Sequence, residues 1–187
     1  MYQICVSGAA KGRSVEEGRT LAIAAGKAIA KDGHSLLTGA TIGLPNYAAE
    51  GYKKAGGHMS LGVSPAASKI EHIRKYRLPT LAYDTILFSG LNYVGRDTLL
   101  IGSSDAVVSI GGRLGTLHEF TIAMEMNKPI GFLQGAGGIS TQIMEILHAA
   151  GEANAENVVF SEDPEELIKE LTKLLNAKYA DYKDIFF

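Results

Sequence analysis

The stretch Ser103–Phe120, SSDAVVSIGGRLGTLHEF, fixes three consecutive elements and restricts the fold more than any other part of the chain. Ala106–Ile110 is a short apolar run rich in β-branched residues, too short for a helix, and reads as a buried strand. Gly111, Gly112 and Gly115 form a tight glycine loop, and Thr116–Asn127 then carries helical spacing. Strand, glycine loop and helix in this order gather free backbone N–H groups and the positive end of a helix dipole at one point, which suits an anion. Glu119 falls in the first turn of that helix. Two roles are open to it: a capping-box partner of Thr116, or a carboxylate beside whatever the loop holds.

The same alternation runs through the whole chain. Strands are expected at Tyr2–Ser7, His34–Leu37, His58–Val63, Thr85–Phe88, Ala106–Ile110, Pro129–Leu133 and Asn157–Phe160. Helices are expected at Val15–Lys31, with Leu21, Ala24, Ala25, Ala28 and Ile29 on one face, and at Leu44–Ala55, Asn92–Ser103, Thr116–Asn127, Ser140–Ala150 and Pro164–Ala177. Pro45 sits in a first turn, where a missing N–H costs nothing, and Asp163 or Ser161 is placed to cap the last helix. Ala67–Lys75 is polar and helical at best, part of a long surface excursion. Repeated strand–helix units imply an α/β fold: a Rossmann-like, doubly wound, mostly parallel sheet with helices on both faces.

Ligands of such folds sit at the C-terminal ends of the strands. Three glycine-bearing loops fall there: Ser7-Gly8, Gly39 to Gly43, and Gly111 to Gly115. None is a G-x-G-x-x-G fingerprint or a P-loop, so classical dinucleotide or ATP chemistry is not supported. Each is also compatible with a plain tight turn. A length of 187 residues suits one domain with a single sizeable core, and 46% hydrophobic with 20% charged residues suits a globular chain. The net charge of −2 carries no footprint of nucleic-acid binding, but backbone N–H groups can hold a phosphorylated small molecule without it. Met1 leads straight into a strand and no apolar run reaches spanning length, so no membrane partner and a cytoplasmic location are expected.

The lone Cys5 reads as a core residue, and His34, His58, His72 and His148 have no metal-ligand spacing, so neither a metal nor a bound cofactor is expected. His118 adjoins Glu119, but successive helix positions diverge by about 100°, which favours a packing or surface role. Lys11 and Arg13 follow the first strand, either reaching a phosphate or lying in solvent. The apolar tail 179–187, ending Ile185-Phe186-Phe187, is expected to dock on its own domain or on a partner subunit.

Arg96, nine residues before Asp105, followed by Gly112-Arg-Leu-Gly115-Thr116-Leu-His-Glu119, resembles the R…D…P-G-G-x-G-T-x-x-E signature of the Lonely Guy (LOG) family within the SLOG superfamily. Gly39-Ala-Thr-Ile-Gly43-Leu44 is similar to that family's upstream G-G-G-x-x-G-L-M-G loop. The chain departs from the pattern at Gly111, where the family has Pro, and at Arg113, where it has Gly; Thr38, Ala40, Pro45 and Asn46 interrupt the upstream loop. These departures look closest to the branch with molybdenum-cofactor carriers and uncharacterised members. A lysine-decarboxylase label attached to some relatives finds no support, since no lysine stands in the glycine loops except Lys11.

The resemblance implies hydrolysis of the N-glycosidic bond of a nucleoside 5′-monophosphate, giving base and ribose 5-phosphate. In that reading Ser7, Gly8, Gly39, Gly43, Gly111, Gly112, Arg113, Gly115 and Thr116 bind the ligand and its phosphate, and Glu119 and Arg96 are catalytic. Glu119 stabilises the cationic ribose or activates water. Arg96 neutralises phosphate or the departing base; its alternative is a salt bridge with Asp105 or Asp97. Arg113 either adds a cation for a more highly charged ligand, such as a diphosphate or pterin phosphate, or points to solvent. The retained Arg96 and Glu119 favour the hydrolase, while the altered glycine loops favour a non-catalytic carrier or sensor of a nucleotide or of molybdenum cofactor. The resemblance also implies a homodimer or higher homo-oligomer.

Overall fold

The protein is described by a computed structural model covering residues 1–182. The chain runs β1 (Gln3–Gly8), α1 (Arg13–Lys31), β2 (Ser35–Thr38), α2 (Leu44–Lys54), β3 (Ser60–Ser64), α3 (Lys69–Arg74), β4 (Thr85–Phe88) and α4 (Asn92–Gly102). It continues with β5 (Ala106–Ile110), α5 (Leu114–Glu125), β6 (Ile130–Leu133), α6 (Ile143–Ala149), β7 (Val158–Ser161) and α7 (Pro164–Lys178). The seven strands form one sheet, parallel throughout, in the order β4-β3-β2-β1-β5-β6-β7. From β1 the chain winds outward to β4, returns to the other side of β1 as β5, and winds outward again. The switch point lies between β1 and β5, where Ser7 pairs with Ser109 and Gly8 with Ile110.

Strand alternation divides the core into two layers. Ile4, Val6, Leu36, Val108 and Ile110 face α1, α2 and α7. Cys5, Leu37, Val107 and Phe132 face α4, α5 and α6, through Leu100, Ile101, Phe120, Ala123, Ile143 and Leu147. Cys5 is therefore a core residue, fully buried. On α1 the buried stripe is Gly18, Ala22, Ala25, Gly26, Ala28 and Ile29; of the expected face Ala25, Ala28 and Ile29 are buried and Leu21 packs partly buried against the core, while Gly18, Ala22 and Gly26 join it. The reason at Gly26 is close backbone approach: a Cβ on Gly26 would lie 2.9 Å from the Tyr52 nitrogen, and one on Gly51 would lie 2.9 Å from Ile23 Cα.

Two local expectations shift and one alternative is resolved. Ala67–Lys75 holds a real helix, α3, because the Ser68 hydroxyl accepts from the Glu71 N–H at 3.2 Å. The segment expected as one helix from Ser140 begins as a 3₁₀ turn, Gly138–Gln142, ahead of α6. Asp163, not Ser161, caps α7, accepting from the Glu165 and Glu166 N–H groups at 2.7 and 3.3 Å. Asp163→Ala is expected to cost about 1 kcal/mol, read as a lower urea midpoint at unchanged slope.

At the tail, Tyr179 stacks on Tyr2 with ring centres 5.9 Å apart and donates to Asp105 Oδ1 at 3.1 Å. The expected docking of Ile185, Phe186 and Phe187 lies outside the described residues. Among the described residues no helix is long and apolar enough to cross a membrane.

Candidate functional site

The C-terminal ends of β1, β2 and β5 open onto a cleft of about 260 Å³, walled by α4 and α5. Of the residues expected to bind ligand, Gly8, Gly39, Arg113, Gly115 and Thr116 line it, together with Arg96 and Glu119. The remaining four support those. Gly43 has φ +83° and starts α2 against the β1–α1 loop, where a Cβ would lie 2.7 Å from Ala10 Cα. Gly111 and Gly112 make the turn after β5, and Thr116 packs so tightly over Gly112 that a Cβ there would lie 2.9 Å from its Cγ2. Ser7 stands behind the cleft and donates its hydroxyl to Glu119 Oε2.

The N-terminus of α5 faces this cleft without a side-chain cap, and its N-cap is Arg113. Its first N–H groups are therefore available to an anion. The helix starts at Leu114, two residues earlier than its hydrophobic spacing indicates, because the turn closes at Gly112. This corrects the placement of Glu119, which sits in the second turn rather than the first. No Thr116–Glu119 capping box forms, and the capping role for Glu119 falls away.

Glu119 instead belongs to a buried cluster. Arg96, 3% exposed, places Nη1 3.6 Å from Glu119 Oε1 and Nε 3.5 Å from Asp97 Oδ1. These contacts are too long for hydrogen bonds, and both nitrogens are buried without a partner. Gly39 makes this position possible, since a Cβ there would lie 2.6 Å from Arg96 Cζ. The alternative surface pairing of Arg96 with Asp105 does not form: Asp105 accepts from the Gln3 N–H at 2.7 Å and from Tyr179. Asp97 is an Arg96 neighbour, but in the buried site rather than on the surface.

Burial pushes the Glu119 carboxyl up to about 7; Arg96 opposes this, and the charge of Asp97 reinforces it. A carboxyl that keeps its proton in the folded state but loses it at lower pH in the unfolded chain favours folding at low pH. Its contribution is lost as pH rises from 4.5 to about 7. Urea midpoints are expected to fall across that window, and Glu119→Gln is expected to flatten the dependence.

Two features escape sequence reasoning, the Asp97–His118 link and Tyr93. Asp97 accepts from His118 Nδ1 at 2.8 Å, which links the buried cluster to a histidine side chain 40% exposed. They lie on α4 and α5, and only helix packing joins them. Tyr93, one turn before Arg96 and Asp97, lines the cleft; aromatic side chains at that spacing carry no signal of their own. Elsewhere, Lys11 lines the cleft, whereas Arg13 pairs with Glu17 at 2.6 Å on the surface. His34 packs between the Tyr2 N–H and the Thr172 hydroxyl, and burial lowers its pKa. His72 is bound by the Ser64 hydroxyl and the Pro79 carbonyl.

A parallel doubly wound sheet with an uncapped helix N-terminus, glycine turns and a buried arginine over its switch point defines a Rossmann-like domain with a strand-end cleft. The model of the SLOG cluster4 family matches residues 1–168, and the chain belongs to that family. An uncharacterized protein of Archaeoglobus fulgidus is 31% identical over 134 residues, covering 72% of this chain and 81% of that protein. Among solved structures, TM1055 superposes with a TM-score of 0.79 at 26% identity, over 92% of this chain and 99% of that one. The molybdenum cofactor carrier protein of Chlamydomonas reinhardtii superposes with a TM-score of 0.75 at 28% identity, over 93% of this chain and 98% of that one.

Proposed function

We propose that this chain binds and carries a phosphorylated nucleotide or nucleotide-like cofactor in the strand-end cleft. The observation that carries this reading is Arg96, a buried guanidinium with two unpartnered N–H-bearing nitrogens at the cleft. Leaving such donors unmatched costs free energy, and an anionic ligand supplies the acceptors. The phosphate lies on the free N–H groups of α5 and the Thr116 hydroxyl, and the organic part lies between Gly39, Pro45 and Tyr93. Likeness to a molybdenum cofactor carrier along nearly the whole chain supports carriage of a phosphorylated pterin-type ligand as the role.

A second reading, N-glycosidic hydrolysis of a nucleoside 5′-monophosphate, is favoured by Glu119. A carboxyl held near 7 beside the cleft is matched to general-base work at neutral pH. Incubation with a panel of nucleoside 5′-monophosphates, following free base and ribose 5-phosphate, separates the two. Carriage predicts binding without release; release abolished by Glu119→Gln would replace carriage with the hydrolase.

The exposed apolar Ile70, Ile73, Leu87, Leu91 and Val94 on α3, β4 and α4 support self-association of the chain. A monomer mass by light scattering at working concentration contradicts it.

A further inference from the structure

The cluster on the cleft wall holds two carboxylates and one guanidinium, all nine-tenths or more buried: Glu119, Asp97 and Arg96. Glu119 and Asp97 both face the Arg96 guanidinium, and the charge of Asp97 pushes the Glu119 carboxyl up. Two carboxylates share a hydrogen bond only when one proton lies between them. The Arg96 guanidinium, 3.5 and 3.6 Å from the two acids, substitutes for that proton at long range without bonding to either. His118 Nδ1, 2.8 Å from Asp97 Oδ2, donates to the far side of the same carboxylate.

We propose that anion binding in this cleft is proton-linked: the anion recruits Arg96, and Glu119 and Asp97 answer by holding one proton between them, with His118 setting how tightly. The inference rests on the anion-site reading above. When Arg96 turns its unpartnered N–H groups to an incoming anion, the acids lose their counter-cation while a negative charge arrives. A proton taken from solvent restores the balance; the His118 imidazole on Asp97 is the competing acceptor, and the pH response of His118→Gln separates it from the carboxyl pair. From β1, Ser7 supplies a hydroxyl already spent on Glu119, and Cys5 is a buried thiol whose pKa burial and Glu119 push up, so it stays neutral. From α4, Tyr93 is a phenol pushed up by burial, and Tyr83 beyond Arg96 is pushed up to about 12, again by burial. Lys11 and Arg113 stand on the cleft walls as cations.

The roles of Asp97 and His118 are distinct. Asp97 is a positioning residue that raises the proton affinity of Glu119 by its charge. His118 donates to the ionised form of Asp97 and so opposes proton capture. Their effects on the titration have opposite signs.

The test uses sulfate, a dianion whose charge is constant near neutrality, titrated calorimetrically into the full chain at fixed ionic strength. Wild-type affinity is expected to fall about tenfold between pH 6 and pH 8, the loss set by one linked proton whose group titrates between them. Proton uptake is read independently from two buffers of different ionisation enthalpy. Glu119→Gln is expected to make affinity independent of pH. Asp97→Asn is expected to move the midpoint down and His118→Ala to move it up, with His118→Gln, which can still donate, restoring the wild-type midpoint. A merely structural role moves affinity without moving the midpoint, and that result overturns the inference. Sulfate binding with no pH dependence overturns the linkage while leaving the anion site standing. Absence of sulfate binding at both pH values overturns the anion site and the linkage together.

Discussion

Gly26→Ala is expected to lower the unfolding free energy by about 3 kcal/mol, although alanine is the better helix former by about 1 kcal/mol. The sign is decided by what the new methyl meets. At Gly26 it would press on the Ala48 carbonyl carbon at 2.8 Å and the Tyr52 nitrogen at 2.9 Å, both backbone atoms of α2 that cannot swing aside. Gly51 makes the reciprocal approach to Ile23 of α1, so both glycines sit on one helix crossing. Relief requires α2 to move as a body, which drags Gly43 and the β2–α2 loop away from the cleft. A loss of this size is a large fraction of the stability of an ordinary domain. Gly102→Ala supplies the control of opposite sign: it ends α4 with no atom within 4 Å of the added methyl and is expected to be neutral or stabilising. Chemical denaturation of the two variants side by side measures both; a neutral Gly26→Ala contradicts the tight crossing.

Arg96→Ala is expected to weaken the binding of a phosphorylated ligand by about a hundredfold, the value of two charge-assisted hydrogen bonds lost together. The same change strips Glu119 and Asp97 of the guanidinium they share. Glu119 then keeps its proton to higher pH, since Arg96 is the group that draws its pKa down. The variant therefore folds by neutralising the acid rather than by burying an unpaired charge, and the loss of affinity is separable from any loss of structure. Arg96→Lys is not expected to rescue it, because an ammonium reproduces the charge but not the planar fork beside Gly39. Affinity within threefold of wild type for Arg96→Ala contradicts the role assigned to this residue.

The fold was legible in the sequence because alternation of buried strands with amphipathic helices leaves few arrangements. Ala106–Ile110 and Thr85–Phe88 form strands with the boundaries their residues suggest. What failed was local. The start of α5 was displaced because a glycine loop that closes at Gly112 lets Leu114 and Gly115 enter the helix, and hydrophobic spacing does not register residues that point into open space. The buried stripe of α1 is legible at Ala25, Ala28 and Ile29 but not at Gly26, whose close approach to α2 is made by a residue with no side chain.

Within the site, the resemblance to the LOG signature points to Arg96 and Glu119, which do converge. Asp97 is legible as a partner of Arg96, but its link to His118 is not. Asp97 reads as an ordinary acid after an arginine, and His118 points away from Glu119 on its own helix; only the packing of α4 on α5 closes the chain of contacts. Gly39 was read as part of a phosphate loop, and its tightest neighbour is the Arg96 guanidinium, for which it clears space.

The measurement that tests the central claim most directly compares each ligand with its dephosphorylated counterpart: ribose 5-phosphate with ribose, a nucleoside 5′-monophosphate with its nucleoside, and a phosphorylated pterin with the free pterin. The cleft at the α5 N-terminus predicts that the phosphate confers about a hundredfold in affinity in at least one pair, and that Arg96→Ala erases the advantage. Equal affinity within every pair would contradict an anion site at the switch point of this sheet.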